Sequence, residues 1–185
     1  MIDVNQLRKG TTYNEDGELL KVISYHHHKP GRGAATIRVT VRNLRTGSTT
    51  EKTYSSGSRV QDVRMEATMV EFLYEDGDFL TFMDNETFEQ PQLSKSTFGD
   101  DVYFIKEGLT LKLLRYEGEL IDYELPDSVE FEVADSEMAV AGDTANNPTK
   151  KVITETGLEV TVPMFVKVGD FIKVKTEDAS YVTRV

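Results

Sequence analysis

Short runs of alternating apolar and polar residues recur along the chain, whereas long helical periodicity is nearly absent. Ile, Val and Val alternate with Arg and Thr over residues 37–41, and Val, Phe and Val alternate with Glu over residues 129–133. A period of two places successive side chains on opposite faces of a strand, so that one face is buried and the other is solvated. The pattern therefore predicts a chain built mainly of half-buried β-strands.

Glycine-containing turns in acidic surroundings lie between these runs. They occur at residues 15–17, 75–77 and 117–118, and each is followed by a further acid and then by apolar residues. Glycine adopts the positive φ angles that tight hairpin turns require. Many short strands joined by close turns favour barrels or sandwiches over an alternating βα sheet. The predicted fold class is therefore all-β, and the segment 86–101 is expected to contain one short helix or helical turn.

Two breaks in the pattern divide the chain into three predicted domains, residues 1–64, 65–127 and 128–185. A segment rich in Lys and Arg gives way to an acidic run near Arg64, and Pro126-Asp127 interrupts the alternation before a new strand. Each domain has about 55–65 residues, which is near the lower limit for a domain that buries enough surface to fold by itself. We therefore expect three small closed β-barrels.

The chain contains no cysteine, and its three histidines, His26, His27 and His28, are adjacent. Disulfides, zinc knuckles and thiol chemistry are excluded, and most catalytic constellations lack their usual residues. Adjacent residues on a strand point to opposite faces, so three successive imidazoles do not converge on one ion. We therefore expect no metal site, no cofactor and no catalytic residue. The histidines are interpreted as solvated side chains or as a weak auxiliary RNA contact.

No apolar run approaches the ~18 residues that a membrane-spanning helix needs. The first residues, from Met1 to Asn5, also lack the basic start and the apolar stretch of a signal peptide. These two features predict a cytoplasmic protein that makes no contact with a membrane.

The net charge of −11 opposes binding to nucleic acid, because an acidic surface is repelled by phosphate. The charge is, however, unevenly distributed. Residues 1–64 contain eleven Lys or Arg and six Asp or Glu, which gives +5 and leaves −16 for residues 65–185. This division suggests that the first domain contacts RNA phosphate. It is equally compatible with a solvated surface of uneven charge.

A small, rigid and cationic connection, residues 29–35, lies between two predicted strands of the basic domain. Pro30 fixes its φ angle, while Gly31 and Gly33 permit unusual backbone angles and have no Cβ to obstruct a close approach. Arg32 is therefore projected from a thin support. Its guanidinium stays charged at physiological pH and offers five donors to phosphate, ribose or a base edge.

The same residues would also suit an ordinary flexible hairpin with solvated charges. Two observations favour RNA binding instead. The connection belongs to the basic domain, and Arg38 and Arg42 extend the cationic stripe along the polar face of the next predicted strand. We therefore interpret the connection, called the tip loop below, and this strand face as an RNA-binding surface.

Several long motifs occur in order over essentially the whole chain. They are residues 28–35 (HKPGRGAA), 42–47 (RNLRTG), 51–54 (EKTY), 82–90 (FMDNETFEQ), 142–144 (GDT), 156–166 (TGLEVTVPMFV), 169–174 (GDFIKV) and 181–184 (YVTR). These motifs resemble those of bacterial elongation factor P, a relative of the hypusine-bearing initiation factor of eukaryotes and archaea. The resemblance implies a KOW or SH3-like first barrel and two OB-type barrels, arranged in an L that looks like tRNA.

A factor of this family occupies the 70S ribosome between the peptidyl-tRNA and exit sites, where its tip reaches the CCA end of the P-site peptidyl-tRNA. It promotes peptide-bond formation when consecutive prolines stall synthesis. The resemblance therefore implies a non-enzymatic, monomeric translation elongation factor whose partners are the ribosome, peptidyl-tRNA and ribosomal RNA.

The resemblance also assigns roles to residues of the tip loop. Arg32 matches the position that carries either Lys or Arg in the family, and the residues expected to contact peptidyl-tRNA beside it are Lys29, Pro30, Gly31, Gly33 and Ala34. Part of the Arg branch is rhamnosylated, which implies an arginine rhamnosyltransferase as a partner acting on Arg32. Lys29 precedes the Pro-Gly pair and is not the matching acceptor.

Two further sites follow from the resemblance alone. The loop Gly142-Asp143-Thr144 would approach the exit-site codon, and Tyr181 and Arg184 would contact RNA or tRNA. Taken without the resemblance, these residues indicate only a tight turn and an ordinary terminal strand.

Two other functions remain open at this point. A general single-stranded RNA-binding OB protein would use stacking aromatics and a basic groove, but the acidic second and third domains oppose this. A sugar- or nucleotide-processing enzyme would need a phosphate-cradling motif and a general base, and the sequence offers neither.

Overall fold

The computed structural model of the protein describes residues 1–138 and 148–185. Within these residues the chain forms sixteen β-strands, one short α-helix and two 3₁₀ segments, so that the predicted all-β fold class is confirmed. No helix in this described part of the chain is long and apolar enough to cross a membrane.

The strands are β1 (Ile2–Asp3), β2 (Thr12–Glu15), β3 (Glu18–His28), β4 (Thr36–Asn43), β5 (Thr49–Ser55), β6 (Arg59–Asp62), β7 (Glu66–Asp76), β8 (Phe79–Asp84), β9 (Gln92–Ser94), β10 (Thr110–Tyr116), β11 (Glu119–Glu124), β12 (Ser128–Ser136), β13 (Thr149–Thr154), β14 (Glu159–Pro163), β15 (Phe171–Lys175) and β16 (Tyr181–Arg184). The helix α1 is Lys95–Phe98, and the 3₁₀ segments are Val4–Gln6 and Gly99–Phe104. The helix lies inside the segment predicted to contain one, and it begins where the Ser94 hydroxyl accepts a hydrogen bond from the Ser96 N–H.

The described residues divide into two compact units. Residues 1–66 and 114–122 form the first unit, and residues 67–113 and 123–185 form the second. The domain boundaries expected near residues 64 and 127 stay a prediction.

The first unit contains a six-stranded sheet in the order β1-β6-β2-β3-β4-β5. The predicted alternation is confirmed here, because Ile37, Val39 and Val41 of β4 are fully buried while Arg38 is exposed. The core also contains Val4, Leu7, Tyr13, Leu20, Val22 and Val60. Strands β3 and β4 are eleven and eight residues long and pair from Leu20–Asn43 to His28–Thr36. This long hairpin carries the tip loop at its end.

The predicted tight turns are confirmed between β2 and β3 and between β10 and β11. Asp16 and Gly17 have φ angles of 53° and 84°, and Glu117 and Gly118 have φ angles of 50° and 82°. Two central residues with positive φ define the hairpin turn whose twist matches that of its strands. Glycine occupies the second position of both turns without steric cost.

Four aromatic rings form a contiguous row inside the second unit. Phe72 and Phe82 have ring centroids 5.7 Å apart, Phe82 and Phe98 5.9 Å, and Phe98 and Tyr123 4.1 Å. The Tyr123 hydroxyl donates to Asp101 Oδ2 over 2.6 Å, which satisfies the polar end of the row. The sheet to which β7 and β8 belong has the order β11-β10-β7-β8-β9.

The last sheet of the second unit has the order β14-β13-β12-β15-β16. Its core contains Val129, Phe131 and Val133 of β12, so the second predicted alternation is also confirmed. Phe104, from the 3₁₀ segment, packs into the same core with its ring centroid 6.2 Å from that of Phe131. Lys106 adds its ammonium group 5.6 Å from the centre of the Phe131 ring.

Residues 114–122 join the first unit through two ion pairs of unequal burial. Lys21 Nζ lies 2.6 Å from Asp122 Oδ2, and the Asp122 side chain is only 6% exposed. Arg45 and Glu119 are 3.3 Å apart, but each is about half exposed. Solvent limits an exposed pair to about 0–1 kcal/mol. The Lys21–Asp122 pair is therefore the more important contact, because an unpartnered buried carboxylate is costly.

Two tyrosines, the buried Tyr13 and the half-buried Tyr54, meet at the core of the first unit. The hydroxyls of Tyr13 and Tyr54 are 2.8 Å apart, and their rings meet edge to face with centroids 6.4 Å apart. Beside them Lys52 forms an ion pair with Glu15. Burial raises the pKa of Tyr54 well above its usual range, and the bond to Tyr13 raises it further. Burial also raises the pKa of Tyr13.

These pKa shifts predict a specific loss of stability in alkali. The unfolded chain releases phenol protons near pH 10, whereas the folded chain releases these two only at higher pH. The free energy of unfolding should therefore fall as the pH rises above about 10, by up to about 1.4 kcal/mol per pH unit for each phenol. The double variant Tyr13→Phe, Tyr54→Phe should show a shallower fall in urea unfolding between about pH 9 and 11.5.

A matched control is Tyr74→Phe, which removes a phenol that is 49% exposed in the second unit. This variant should keep the alkaline slope of the parent. An identical slope in all three proteins would show that the Tyr13–Tyr54 pair does not determine alkaline stability.

Candidate functional site

The tip loop, residues 29–35, is held at both ends by strand pairing. His28 pairs with Thr36 at the last rung of the β3–β4 ladder, and Thr36 pairs in turn with Ser55 of β5. The Ser56 N–H donates to the Ala35 carbonyl over 2.9 Å, which fixes the end of the loop. A three-stranded base therefore supports a loop that makes no regular pairing of its own.

Arg32 lies at the exposed centre of this loop. Its side chain and that of Lys29 are both exposed, and within the described residues neither forms an ion pair. Gly33 adopts a φ of 111°, and a Cβ built on it or on Gly31 would meet nothing within 4 Å. The predicted need for glycine is therefore confirmed at Gly33, where φ is positive, while Gly31 lies outside that region.

Arg38 has a partner that the sequence pattern did not reveal. Its Nε lies 3.4 Å from Glu51 Oε1 on β5, and both side chains are more than half exposed. In the β4–β5 register Glu51 is opposite Thr40, which is two residues from Arg38 and lies on the same face of β4. Arg42 is half-buried and lies opposite Lys21 of β3. The cationic stripe is therefore continuous along β4 but partly neutralised at Arg38.

An open groove of about 560 Å³ borders this stripe and is lined by His26, His27, His28, Thr36, Arg38 and Glu51. His26 pairs with Arg38, His27 with the buried Ile37, and the next histidine with Thr36. The histidines therefore alternate between the two faces of β3, as expected from strand geometry. In residues 1–138 and 148–185 no group of three or more His, Asp or Glu side chains is placed to hold a metal ion.

The two sites predicted in the last domain have different outcomes. Gly142, Asp143 and Thr144 lie outside the described residues. Tyr181 and Arg184 are the first and last residues of β16, opposite Val174 and Ile172 of β15. The register shifts between Lys173 and Val174, and this bulge places Tyr181 and Arg184 on the same face although they are three residues apart.

Arg184 is held by two residues for which no role was predicted. Its guanidinium carbon lies 5.3 Å from the centre of the Phe165 ring, and its Nη1 lies 3.6 Å from Asp170 Oδ2. The Lys167 N–H donates to the same Asp170 oxygen over 2.9 Å, which orients the carboxylate. Tyr181 instead packs against the buried residues of the last sheet. Both Phe165 and Asp170 lie inside motifs noted in the sequence, but only the fold brings them to Arg184.

Solved structures of two other proteins are similar to the chain. One is "Eukaryotic translation initiation factor 5A from Methanococcus jannaschii", which is 21% identical, covers 68% of this chain and 90% of its own, and has a TM-score of 0.50. The other is "Translation initiation factor eif-5a family protein from Naegleria fowleri ATCC 30863", with 13% identity, coverage of 67% and 96%, and a TM-score of 0.40. The first shows a shared fold.

Three family models match the chain in order. "Elongation factor P (EF-P) KOW-like domain" matches residues 3–60, "Elongation factor P (EF-P) OB domain" residues 65–123, and "Elongation factor P, C-terminal" residues 129–184. The three matches together span nearly all of the chain. They confirm the predicted order of a KOW-like domain followed by further β-rich domains. The family is one of translation factors and not of enzymes, and it implies the ribosome as a partner. The chain belongs to the elongation factor P family.

Proposed function

We propose that the protein binds the 70S ribosome between the peptidyl-tRNA and exit sites and stimulates peptide-bond formation, which relieves stalling at consecutive prolines. The observation that carries this proposal is the exposed Arg32 on a glycine-bearing loop at the end of the long β3–β4 hairpin. A loop with a firm base and a small cross-section suits entry into a narrow, phosphate-lined cavity. Because this position is Arg32, we assign the protein to the arginine-bearing branch of the family.

The chemistry proposed for Arg32 is positioning. Prolyl substrates are sterically poor acceptors and donors, and a reaction between two bound groups speeds up when they are held in the reactive geometry. A guanidinium donates up to five hydrogen bonds in a fixed plane, and so it can restrain a phosphate, ribose or base of the tRNA acceptor end. It supplies no acid, base or nucleophile at neutral pH. Bond formation itself is therefore assigned to ribosomal RNA.

The remaining loop residues and the cationic stripe are proposed to assist this contact. Lys29, Pro30, Gly31, Gly33 and Ala34 would lie against peptidyl-tRNA, because they flank Arg32 and are exposed or half-buried. Arg38 and Arg42 would lie beside ribosomal RNA phosphate. The neutralisation of Arg38 by Glu51 makes its electrostatic contribution the smaller of the two.

Contacts of the last domain are also proposed. Arg184, half exposed and oriented by its neighbours, would contact RNA, with Tyr181 beside it on the same face. Gly142, Asp143 and Thr144 would approach the exit-site codon. We further propose domains at residues 1–64, 65–127 and 128–185, an L-shaped arrangement of the three, a monomeric state, the cytoplasm as the place of action, and Arg32 as the substrate of an arginine rhamnosyltransferase.

The proposed function is tested by translation in a purified system. Adding the protein to ribosomes that translate a Pro-Pro-Pro reporter should restore full-length product, whereas a reporter without consecutive prolines should be unaffected. Binding to ribosomes and to unstructured RNA should be measured across salt concentrations in parallel. No rescue, together with tight binding to unstructured RNA and weak binding to ribosomes, would instead favour a general single-stranded RNA-binding protein.

A further inference from the structure

An exposed aromatic residue in an unfavourable backbone conformation lies on the loop between β8 and β9. Phe88 is 73% exposed, and its φ angle is 59°. This left-handed region is open to glycine but strained for a residue with a bulky side chain. Three other described non-glycine residues, Asp16, Glu117 and Ala179, also have positive φ, and Phe88 has the largest side chain of the four.

The conformation of Phe88 is imposed by hydrogen bonds around Asp84. The Phe88 N–H donates to the Asp84 carbonyl over 2.8 Å, and the Asp84 N–H donates to the Glu89 carbonyl over 2.9 Å. Asp84 is 9% exposed as a residue, and its carboxylate accepts from the N–H groups of Glu86 and Thr87 over 2.8 and 3.1 Å. Every one of these bonds anchors the loop to the end of β8. The ring is therefore presented by a defined turn and not by a loose segment.

Neither folding nor solubility accounts for a phenylalanine at this position. A strained backbone lowers the stability of the folded state, and a ring that stays exposed recovers little of this loss through burial. Glycine or asparagine would fit the same turn with less strain and without exposing an apolar ring. A residue that weakens the fold and faces solvent is best explained by a contact made outside the chain.

The charges beside Phe88 indicate the chemical class of the partner. Glu86 and Glu89 are both exposed and flank the ring along the chain, and residues 84–90 contain no Lys or Arg. Phosphate is repelled by such a surface, so that an RNA backbone fits it poorly. A protein surface with an apolar pocket and a basic rim would receive the ring and attract both carboxylates. Aromatic residues that fill a pocket in this way often dominate the binding energy of an interface.

We propose that Phe88 is an anchor that inserts into an apolar pocket, rimmed by Lys or Arg, on a protein component of the ribosome. The proposal rests on the proposed ribosome binding and adds a second point of attachment, on the middle domain, to the one at Arg32. The hydrogen bonds around Asp84 hold the turn that presents the ring, so that less conformational freedom is lost when the ring is bound.

The test compares Phe88→Gly with the matched variant Glu117→Gly. Both changes remove a strained residue from an exposed turn, but only the first removes an aromatic ring. Both variants should unfold at the temperature of the parent or above it, because glycine relieves the strain. Ribosome affinity measured by co-sedimentation should weaken at least about tenfold for Phe88→Gly and stay unchanged for Glu117→Gly.

Photo-crosslinking identifies the partner. A benzophenone-bearing phenylalanine analogue at position 88 of the full chain should crosslink to a ribosomal protein on purified ribosomes. Crosslinks to ribosomal RNA alone, or Phe88→Gly binding as tightly as the parent, would overturn the proposal. If the unaltered protein fails to bind ribosomes at all, the proposed function itself is refuted, and this outcome is distinguishable because it appears before any variant is compared.

Discussion

Replacing Arg32 by alanine should abolish rescue of polyproline translation while leaving the fold intact. The side chain is exposed on the tip loop and contributes to no core, so the free energy of unfolding should change by less than about 0.5 kcal/mol. Loss of a positioning group costs on the order of 100-fold in a reaction that depends on geometry. Synthesis through a Pro-Pro-Pro reporter in a purified system should therefore slow almost to the rate measured without the factor.

Arg59→Ala provides the control for this prediction. Arg59 is also exposed and lies in the same unit, on β6, but it is not part of the tip loop or of the stripe along β4. The Arg59 variant should rescue the reporter as well as the parent does. If the Arg32 variant were equally active, the role assigned to the tip would be wrong. If both variants were inactive, the effect would reflect total positive charge and not the position of one guanidinium.

Replacing Phe131 by alanine should cause a large loss of stability. Its ring is fully buried in the core of the last sheet, where Phe104 packs against it and the Lys106 ammonium lies over its face. Truncating a buried phenylalanine removes its transfer free energy and leaves a cavity, which together cost about 3–5 kcal/mol. Calorimetric melting of the variant should show a transition lowered by on the order of 10 °C or more.

Phe171→Ala is the matched comparison, because Phe171 lies on the neighbouring strand β15 but is 48% exposed. Its truncation removes only part of the burial energy and should cost about 1 kcal/mol. Similar losses in the two variants would mean that the last sheet does not depend on a single buried core. The comparison therefore tests whether burial, and not aromatic content, stabilises this part of the chain.

Local sequence signals were sufficient wherever structure depends on neighbouring residues. The alternation at residues 37–41 and 129–133 predicted which side chains are buried, because a strand has a fixed period of two. The turns at Asp16-Gly17 and Glu117-Gly118 followed from glycine chemistry. A short helix was expected within 86–101, and α1 lies there. The tip loop was identified from its own residues together with the basic charge of the segment around it.

Contacts between distant residues could not be predicted in this way. Tyr13 and Tyr54 are 41 residues apart, and Lys21 and Asp122 are 101 residues apart, yet each pair forms a direct contact. Nothing in either local pattern distinguishes these residues from solvated ones. Their pairing depends on which strands become neighbours, and this is a property of the whole sheet.

The same limitation affected the prediction of the functional surface. Arg38 was predicted to extend the cationic stripe along its strand, and the β4–β5 register gave it Glu51 as a partner. The bulge in the β15–β16 pairing put Tyr181 and Arg184 on one face, where a regular strand would have separated them. Phe88 belonged to a motif noted in the sequence, but its positive φ depends on hydrogen bonds centred on Asp84. One shift in register or one turn was enough to alter each assignment.

The sequence by itself determined that the chain is all-β, where its tight turns lie, and that one arginine is presented on a glycine-bearing loop. These features are encoded within a few residues, because strand period and glycine backbone freedom are local properties. Only the tertiary structure decided which cation is neutralised, which side chains share a face and which aromatic ring is held exposed. Those outcomes depend on strand register and on long-range hydrogen bonds, which bring together residues that the sequence keeps far apart.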